Sequence, residues 1–543
     1  MQHFLHKYSR IADQGCHIGK VSQPGEVPLM NIASDSGALS SFIGYLLVVM
    51  GLGVVAFFLT RNLSDYVLGG RRLGGAVAAL SAGASDMSSW LLLGLPGAVY
   101  LSGLQQIWIP LGLIIGAYCN WHWIAKPLRI YSEIAEDSLT IPAYLDNRFK
   151  DTSKYIRGIA ALAILVFFTF YVATGLVAGA VLLSHTFDLS YLQALALGTS
   201  IIMLYTLVGG FLAVSWTDFF QGTLMFVCLL IVPWFVHEYL GGTEMILNKI
   251  LAYKPHHLVL SHDLGFLSTL SLLSWGLGYF GMPHILVRFM AVKSIKEIPL
   301  AQNICMGWMT LSLLGAMLTG LVGVAYFGDS PLSNHETVFM ALSQKVFPAW
   351  CIGIIMAAIL SSCMCAVDSQ MLAASSALTE DVYRALFRPL ATQQELMWMG
   401  RLAVVVIAAA AIALSLTPSK TIMDLVSFAW AGLGATFGPT VVLSLFWERM
   451  SRKGAIWGML IGAGTVIIWR ILGLELWLYS ILPGSVFSLV AVVMASLLDK
   501  EPSDAVRQQF RKAHSILKQQ SHHAVNKTFE ATTNLEERLQ AKG

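Results

Sequence analysis

Apolar residues dominate long, uninterrupted stretches of the chain from Ser40 to Leu498. Each stretch is about 20 residues long, the length that an α-helix needs to cross the hydrocarbon core of a bilayer. Because a backbone in lipid must satisfy its own hydrogen bonds, these stretches predict membrane-spanning helices. We predict thirteen spans, with centres near Leu47, Trp90, Leu113, Phe168, Thr199, Cys228, Trp275, Leu314, Met364, Ile407, Gly434, Gly462 and Phe487.

The composition supports this interpretation, because 56% of the residues are hydrophobic and only 12% are charged. A soluble protein carries about twice that charged fraction. Lys and Arg are concentrated in alternate connections between the spans, as expected of connections on the cytoplasmic side. We therefore predict a plasma (inner) membrane protein with its N-terminus outside and its C-terminus in the cytoplasm. The predicted cytoplasmic set includes Arg71, Arg72, Lys126, Arg129, Arg148, Lys150, Lys293, Lys296, Arg449 and Lys453.

The sequence divides into three parts. Residues 1–38 form an N-terminal extension that lacks the apolar core of a signal peptide, and Met30 offers a shorter start. Residues 39–498 contain the thirteen spans. Residues 499–543 form a polar tail that is too short for a kinase or another sizeable enzymatic domain. The seven cysteines show no metal-ligand spacing, and most lie in apolar runs, so we interpret them as buried small hydrophobic residues.

Two spans contain sequences that predict a break in the helix. The second includes LSAGASDMSSWLLLGLPGAVYLSG, residues 80–103, and the seventh includes SWGLGYFGMPH, residues 274–284. The two spans are five apart, the offset expected of corresponding helices in two five-helix repeats. Interrupted helices in transporters leave backbone carbonyls and half-helix ends free to hold ions and substrate. The alternative is that Gly and Pro are simply common in membrane helices.

Three acids lie at or near membrane depth, where an ionisable group marks a functional cavity or a paired partner. Asp86 lies in the broken stretch GASDMSS, so it supports a cation site or caps the free backbone there. Asp218 either caps the start of a span or belongs to an ion exit path. Asp368 needs a partner, a proton or a watery cavity, because apolar residues surround it in the ninth span.

Aromatic residues mid-span supply a second kind of group. Tyr171, Trp90, Trp275 and Tyr279 lie in or near the spans that would frame a central site. The last two are four residues apart, which predicts that they share one face of a helix. Such rings can enclose a small apolar moiety while their O–H and N–H groups bind polar atoms. The alternative is that these rings serve packing or the interfacial belt.

Several long runs resemble the solute:sodium symporter family, most closely its proline-transporting branch. They are DYVLGGRRLGG, ALSAGASDMSSWLLLGLPGAVYLSG, FFTFYVATGLVAGA, GGFLAVSWTD, WGLGYFGMPHILVRFMA, SSALTEDVYRA and SFAWAGLGATFGP. The resemblance extends from about Asp65 to Leu498. It implies an all-α fold of thirteen helices with a LeuT-like inverted five-plus-five repeat. It also implies alternating access, in which sodium moves inward with proline or a closely similar small amino acid.

The resemblance also implies the residues of the site. The cation would bind the carbonyls of Ala84 and Met87, with Asp86 and Ser88 close by. Asp218 matches an acid that the family links to ion passage. The substrate set is Tyr171, Trp275, Tyr279, Pro283, Ser88, Ser89, Trp90 and Met282.

The ninth span departs from the family pattern. Where the family places Ser and Thr hydroxyls on the sodium, this chain has Cys365 and Ala366, although Ser362 still offers oxygen atoms. A thiol is a poor sodium ligand and a methyl group is none. Asp368 stands where the proline branch has Ser. Two mechanisms follow: sodium coupling, or proton coupling through Asp368.

The substrate region has two further departures, Met282 where the branch has Gln and Ser89 where it has Gly. Both question strict selectivity for proline. A transporter-like nutrient sensor that signals through its tail is a rival prediction. The sequence lacks the motifs of a membrane enzyme or a channel filter. We expect the bilayer and a small zwitterion as partners, and neither nucleic acid nor an obligatory protein partner.

Overall fold

The computed structural model describes residues 35–59, 67–261, 264–328, 330–416 and 421–520. Within these ranges the structure consists of helices and their connections, with one isolated parallel β-bridge between Leu73 and Val292. Most of the predicted N-terminal extension and the last part of the predicted tail lie outside the described residues.

The first half of the chain contains the first broken span, whose two parts are the second and third helices in chain order. In chain order these helices are α1 (Ser36–Leu59), α2 (Gly75–Ser89), α3 (Leu95–Ser102), α4 (Trp108–Cys119), α5 (Ala125–Ile134), α6 (Ile141–Phe149), α7 (Tyr155–Phe187), α8 (Tyr191–Tyr239) and α9 (Thr243–Tyr253). The second half is α10 (Phe266–Leu273), α11 (Pro283–Ala291), α12 (Ile298–Phe327), α13 (Val338–Val346), α14 (Ala349–Ser376), α15 (Gln393–Ser415), α16 (Ile422–Phe446), α17 (Arg452–Ile471), α18 (Ile481–Leu498) and α19 (504–520).

The predicted spans correspond to these helices. Ten helices in the described ranges are long and apolar enough to cross a membrane, or eleven if the bent pair formed by α10 and α11 counts as one. One of the ten, 75–134, runs through two predicted centres, and Tyr191–Leu204 is a shorter apolar helix at another. Every predicted centre therefore lies in a described helical segment, although the count of thirteen is not confirmed.

Two local features show how the sequence sets helix boundaries. Ser190 begins α8 with a capping box, in which its side chain and that of Gln193 each accept a hydrogen bond from the other's backbone N–H. Gly210 then kinks the same helix with φ 64° and ψ −173°. This left-handed conformation favours glycine because it has no side chain to clash. The kink separates two predicted spans that otherwise run together.

The two broken spans are tied together at one end of the molecule. Leu73, just before α2, forms the β-bridge with Val292, which follows α11. Arg71 donates a hydrogen bond of 2.6 Å to the carbonyl of Met290 and forms an ion pair of 2.8 Å with Asp137. We call this the basic end, because it carries Arg71, Arg129, Arg148 and Arg449. The two spans are therefore joined at this end, one before its break and the other after its break.

Glycines allow the second broken span to pack backbone against backbone. A Cβ added to Gly116 of α4 would lie 2.1 Å from the carbonyl oxygen of Gly276. A Cβ on Gly278 would lie 2.1 Å from Nε1 of Trp430 in α16. Small residues let membrane helices approach this closely. The segment 274–281 is therefore held between α4 and α16, which fixes the backbone that carries its aromatic side chains.

Candidate functional site

The first break occurs at Ser88, at the end of α2. Ser88 has φ 48° and ψ −166°, a conformation that a residue with a side chain adopts only where its surroundings enforce it. The N–H of Trp90 turns back to the carbonyls of Met87 and Ser88 and to Oγ of Ser88. A π-helical turn, Trp90–Gly94, follows before α3. The break predicted within residues 80–103 is therefore present, and it lies beside Asp86.

The second break occurs at Met282, which is extended (φ −79°, ψ 106°) between a 3₁₀ segment and α11. The helices on its two sides are bent by 45°. Because a 3₁₀ helix has three residues per turn, Trp275 and Tyr279 point in different directions although they are four residues apart. The hydroxyl of Tyr279 donates to Oδ2 of Asp86, which joins the two broken spans directly.

The ninth span, in α14, faces the first break. Sγ of Cys365 donates to the carbonyl of Ala84 at 3.2 Å and also contacts the carbonyl of Ser362 at 3.5 Å. The hydroxyl of Ser362 donates to its own helix, to the carbonyl of Ile359 at 2.6 Å. Ala366 is buried next to this group. The carbonyl oxygens of Ala84 and Ser362 therefore converge on the thiol of Cys365, which joins the ninth span to the first broken span.

This donor set fits a hard monovalent cation through its carbonyl oxygens. Ala84, Met87 and Ser362 each offer a carbonyl, and Ser88 adds a hydroxyl at the break. Carbonyl oxygens can replace the hydration shell of such an ion. The thiol contributes little to its binding.

A small cavity lies between the two breaks, and five of the predicted residues line it. The lining residues are Asp86, Met87, Trp90, Leu113, Tyr171, Trp275, Val426 and Trp430. The other predicted substrate residues surround it without lining it. Ser88, Ser89, Tyr279 and Met282 are buried nearby, and Pro283 lines a separate cavity together with His284 and Arg288.

Aromatic rings close the side of the cavity that lies away from the basic end. Trp90 stacks on Trp275 at 6.0 Å between ring centroids, and Tyr479 stacks on Trp275 at 5.1 Å. Nε1 of Trp430 donates to the carbonyl of Trp275 at 2.7 Å. We call Trp90, Trp275, Trp430 and Tyr479 the aromatic cluster. The sequence analysis did not identify Trp430 or Tyr479, because neither lies in a broken span.

A buried ion pair lies on the other side of the two breaks, toward the basic end, and its Arg288 lines the separate cavity. Oδ2 of Asp218 accepts hydrogen bonds from Arg288 at 2.9 Å and from Ser81 at 2.7 Å. Arg288 also donates to Oγ of Ser81 at 2.7 Å and to Oγ of Ser369 at 2.6 Å. Both charged side chains are at most 1% exposed. We call Ser81, Asp218, Arg288 and Ser369 the Arg288 cluster.

This cluster corrects one interpretation of Asp218. The helical segment that contains it starts at Gly210, so Asp218 lies more than two turns inside and does not cap a span. Arg288 was not among the predicted site residues. A single Arg in the apolar run PHILVRFMA was the available signal, since a charge at this depth requires a partner.

Asp368 is fully buried in α14, one turn beyond Cys365. The third acid therefore lies one turn from Cys365 and next to Ser369 of the Arg288 cluster.

Comparisons with known proteins agree along most of the chain. The family model described as the sodium:solute symporter family matches residues 66–462. The high-affinity proline transporter PutP of Bacillus subtilis (strain 168) is 47% identical over 470 residues, covering 86% of this chain and 99% of that protein. The sodium/proline symporter of Escherichia coli (strain K12) is 47% identical over 488 residues, covering 89% and 97%.

Solved structures agree on the fold. A sodium-coupled sialic acid symporter in a substrate-bound outward-open state matches with a TM-score of 0.74 at 19% identity, covering 86% of this chain and 99% of that one. Mhp1, a nucleobase-cation-symport-1 family transporter, matches with a TM-score of 0.53 at 11% identity, covering 83% and 99%. The predicted all-α membrane architecture, a LeuT-like inverted five-plus-five repeat with two broken helices, is confirmed.

Proposed function

The chain belongs to the sodium:solute symporter family, and we propose that it is a secondary active transporter that imports proline together with sodium by alternating access. Relatives named as proline transporters match nearly their whole length at this level of identity. The observation that carries the proposal is the break at Ser88, which brings Asp86, Met87 and Trp90 to one cavity with Trp275.

The substrate would lie in the cavity between the breaks. The rings of Trp90, Tyr171 and Trp275 suit the apolar pyrrolidine ring of proline. The backbone N–H groups at the start of a half-helix suit its carboxylate. We assign Tyr279, Pro283, Ser88, Ser89 and Met282 to the surrounding shell, where they hold the broken segments in shape.

The cation would bind beside the break in α2. The carbonyls of Ala84, Met87 and Ser362 and the hydroxyl of Ser88 would hold sodium, with Asp86 close by. Cys365 and Ala366 take the positions of the missing hydroxyls, and we propose that the nearby negative charge of Asp368 compensates for them. Asp218 would lie on the ion path toward the basic end. The comparisons favour sodium over the proton alternative.

We further propose that the basic end faces the cytoplasm. Positively charged connections are retained on that side, which would put the N-terminus outside. The same proposal makes residues 1–38 an external extension, 39–498 the transport domain and 499–543 a cytoplasmic tail.

The deciding experiment measures uptake of labelled proline into proteoliposomes under independently imposed sodium and proton gradients. Each charge that moves inward contributes about 2.3 kcal/mol per 100 mV. That energy supports roughly 50-fold accumulation, at about 1.4 kcal/mol per tenfold. We expect sodium to drive uptake in the parent protein and a pH gradient alone to drive none.

Asp368→Ser provides the matched variant, because it restores the residue of the proline branch. We expect it to retain sodium-driven uptake with a changed apparent affinity for sodium, while Asp368→Asn loses affinity. Uptake that follows a pH gradient in the absence of sodium, and is abolished in Asp368→Ser, would replace sodium with a proton in this proposal.

A further inference from the structure

Tyr479 reaches the aromatic cluster from outside the repeated core. It lies in the connection between α17 and α18, which follow the ten helices of the repeat, and it is only 7% exposed. Its ring stacks on Trp275 with an interplanar angle of 28°. Trp275 lines the cavity, whereas Tyr479 does not. Tyr479 can therefore influence the substrate only indirectly, and Trp275 is the lining residue on which its ring stacks.

Tyr479 is fixed by hydrogen bonds to two other elements. Its hydroxyl donates to the carbonyl of Ser427 in α16 at 2.7 Å, and its backbone N–H donates to Oγ of Ser271 in α10 at 3.1 Å. These bonds hold the Tyr479 ring against α10, which belongs to the broken seventh span, and against the first turns of α16. A tyrosine with a satisfied hydroxyl and a stacked ring has little freedom left.

The connection itself is also held in shape. Nε1 of Trp469 donates to the carbonyl of Leu478 at 2.8 Å, and the N–H of Ser480 donates to Oε2 of Glu475 at 3.2 Å. These bonds fix the backbone on both sides of Tyr479. The Tyr479 ring is therefore held by a rigid connection. A residue that positions another side chain requires such rigid support.

Trp275 has few other restraints in its own segment. Its segment is a 3₁₀ helix that ends at a break, and its carbonyl accepts the bond from Trp430. The orientation of its ring then depends on the two rings that stack on it, Trp90 from the first broken span and Tyr479 from the peripheral connection.

We propose that Tyr479 is a positioning residue that holds the Trp275 ring against the substrate and thereby sets the size of ring that the cavity accepts. The proposal rests on the proposed proline transport. It gives α17 and α18, which lie outside the repeated core, a role in substrate selectivity.

The test compares Tyr479→Ala, Tyr479→Phe and the parent in proteoliposomes with a sodium gradient imposed across the membrane. Initial rates give KM and the maximal rate for proline. Competition by azetidine-2-carboxylate and piperidine-2-carboxylate, which have smaller and larger rings, gives a ring-size ratio. Tyr191→Ala is the matched control, because Tyr191 is also buried and its hydroxyl also donates to a backbone carbonyl, that of Ser415 at 2.8 Å.

We expect Tyr479→Ala to raise the KM for proline by about three- to tenfold, the range for one lost aromatic contact. It should also shift competition toward the larger ring. Tyr479→Phe keeps the stacked ring and should restore both values to near those of the parent. Tyr191→Ala should leave the KM and the ring-size ratio unchanged.

Two results would overturn the proposal. One is a Tyr479→Ala protein with a lower maximal rate but the KM and ring-size ratio of the parent. The other is the same change in KM and ratio in Tyr191→Ala. Failure of the proposed transport would look different, because the parent itself would then show no sodium-driven uptake of proline.

Discussion

The Arg288 cluster and the aromatic cluster lie on opposite sides of the two breaks, but different forces hold them together. In the Arg288 cluster, a carboxylate and a guanidinium 2.9 Å apart share the hydroxyl of Ser81, away from water. In the aromatic cluster, three rings stack on one another. Nε1 of Trp90 donates to Sδ of Met423, and Nε1 of Trp430 donates to the carbonyl of Trp275. One closure rests on charge and the other on apolar contact.

The forces that hold each cluster together determine how it can open. A buried charge that loses its partner costs several kcal/mol, so the members of the Arg288 cluster must separate together and only when water or an ion replaces the lost bonds. Stacked rings lose contact energy gradually as they slide apart. In the proposed cycle, the Arg288 cluster therefore acts as an all-or-none barrier, and the aromatic cluster adjusts to the substrate.

The largest effect should come from breaking the charged pair on one side only. Arg288→Met leaves the fully buried Asp218 without its cation, and we expect a loss of about 3–5 kcal/mol in stability. The measurement is the thermal unfolding midpoint in detergent, together with the amount of folded protein in the membrane.

The control for this prediction is the double variant Arg288→Met with Asp218→Asn. Removing both charges should recover most of the stability, because no unpaired ion remains. If the single variant is as stable as the parent, the pair does not carry the energy that its burial implies.

A smaller effect should follow from removing the central ring of the aromatic cluster. Trp275→Leu loses two stacked contacts of about 0.5–1.5 kcal/mol each. We expect the KM for proline to rise about tenfold, with a modest fall in the unfolding midpoint, because Trp275 lines the cavity. Kinetics of sodium-driven uptake provide the measurement.

Trp234→Leu is the control for this variant, since Trp234 is 67% exposed on the surface of the bundle and should tolerate the change. An unchanged KM in Trp275→Leu would mean that the aromatic cluster does not contact the substrate.

Sequence patterns predicted the cavity better than its closures. The breaks at Ser88 and Met282 lie in the stretches where small residues, Pro and polar groups interrupt apolar runs, and this local signal needs no partner. The bond between Asp218 and Arg288 joins residues 70 positions apart, so no local pattern contains it. Asp218 was also misplaced as a possible cap, because the kink at Gly210 could not be located within a continuous apolar run.

The smallest effect should be a pH dependence on the side of the aromatic cluster. Burial raises the pKa of Glu336 to about 7, and its carboxylate lies beside the backbone N–H groups of Met423 and Ile422 and near Asp424. Met423 also receives the N–H of Trp90, so Glu336 adjoins this closure. Because the folded state holds this proton more tightly than the unfolded chain, stability should fall as the pH rises from about 4.5 to about 7.

Glu336→Gln removes the titrating group and should flatten that part of the profile, a change of about 1–3 °C in the unfolding midpoint between pH 5 and pH 8. Glu244→Gln, at an exposed position, is the control and should keep the slope of the parent. A parent protein whose midpoint rises over this range would contradict the prediction, because stability would then depend on the ionised carboxylate. If the unfolding midpoint is independent of pH in Glu336→Gln alone, a single buried acid makes the aromatic cluster sensitive to pH. The Arg288→Met variant should keep the pH dependence of the parent.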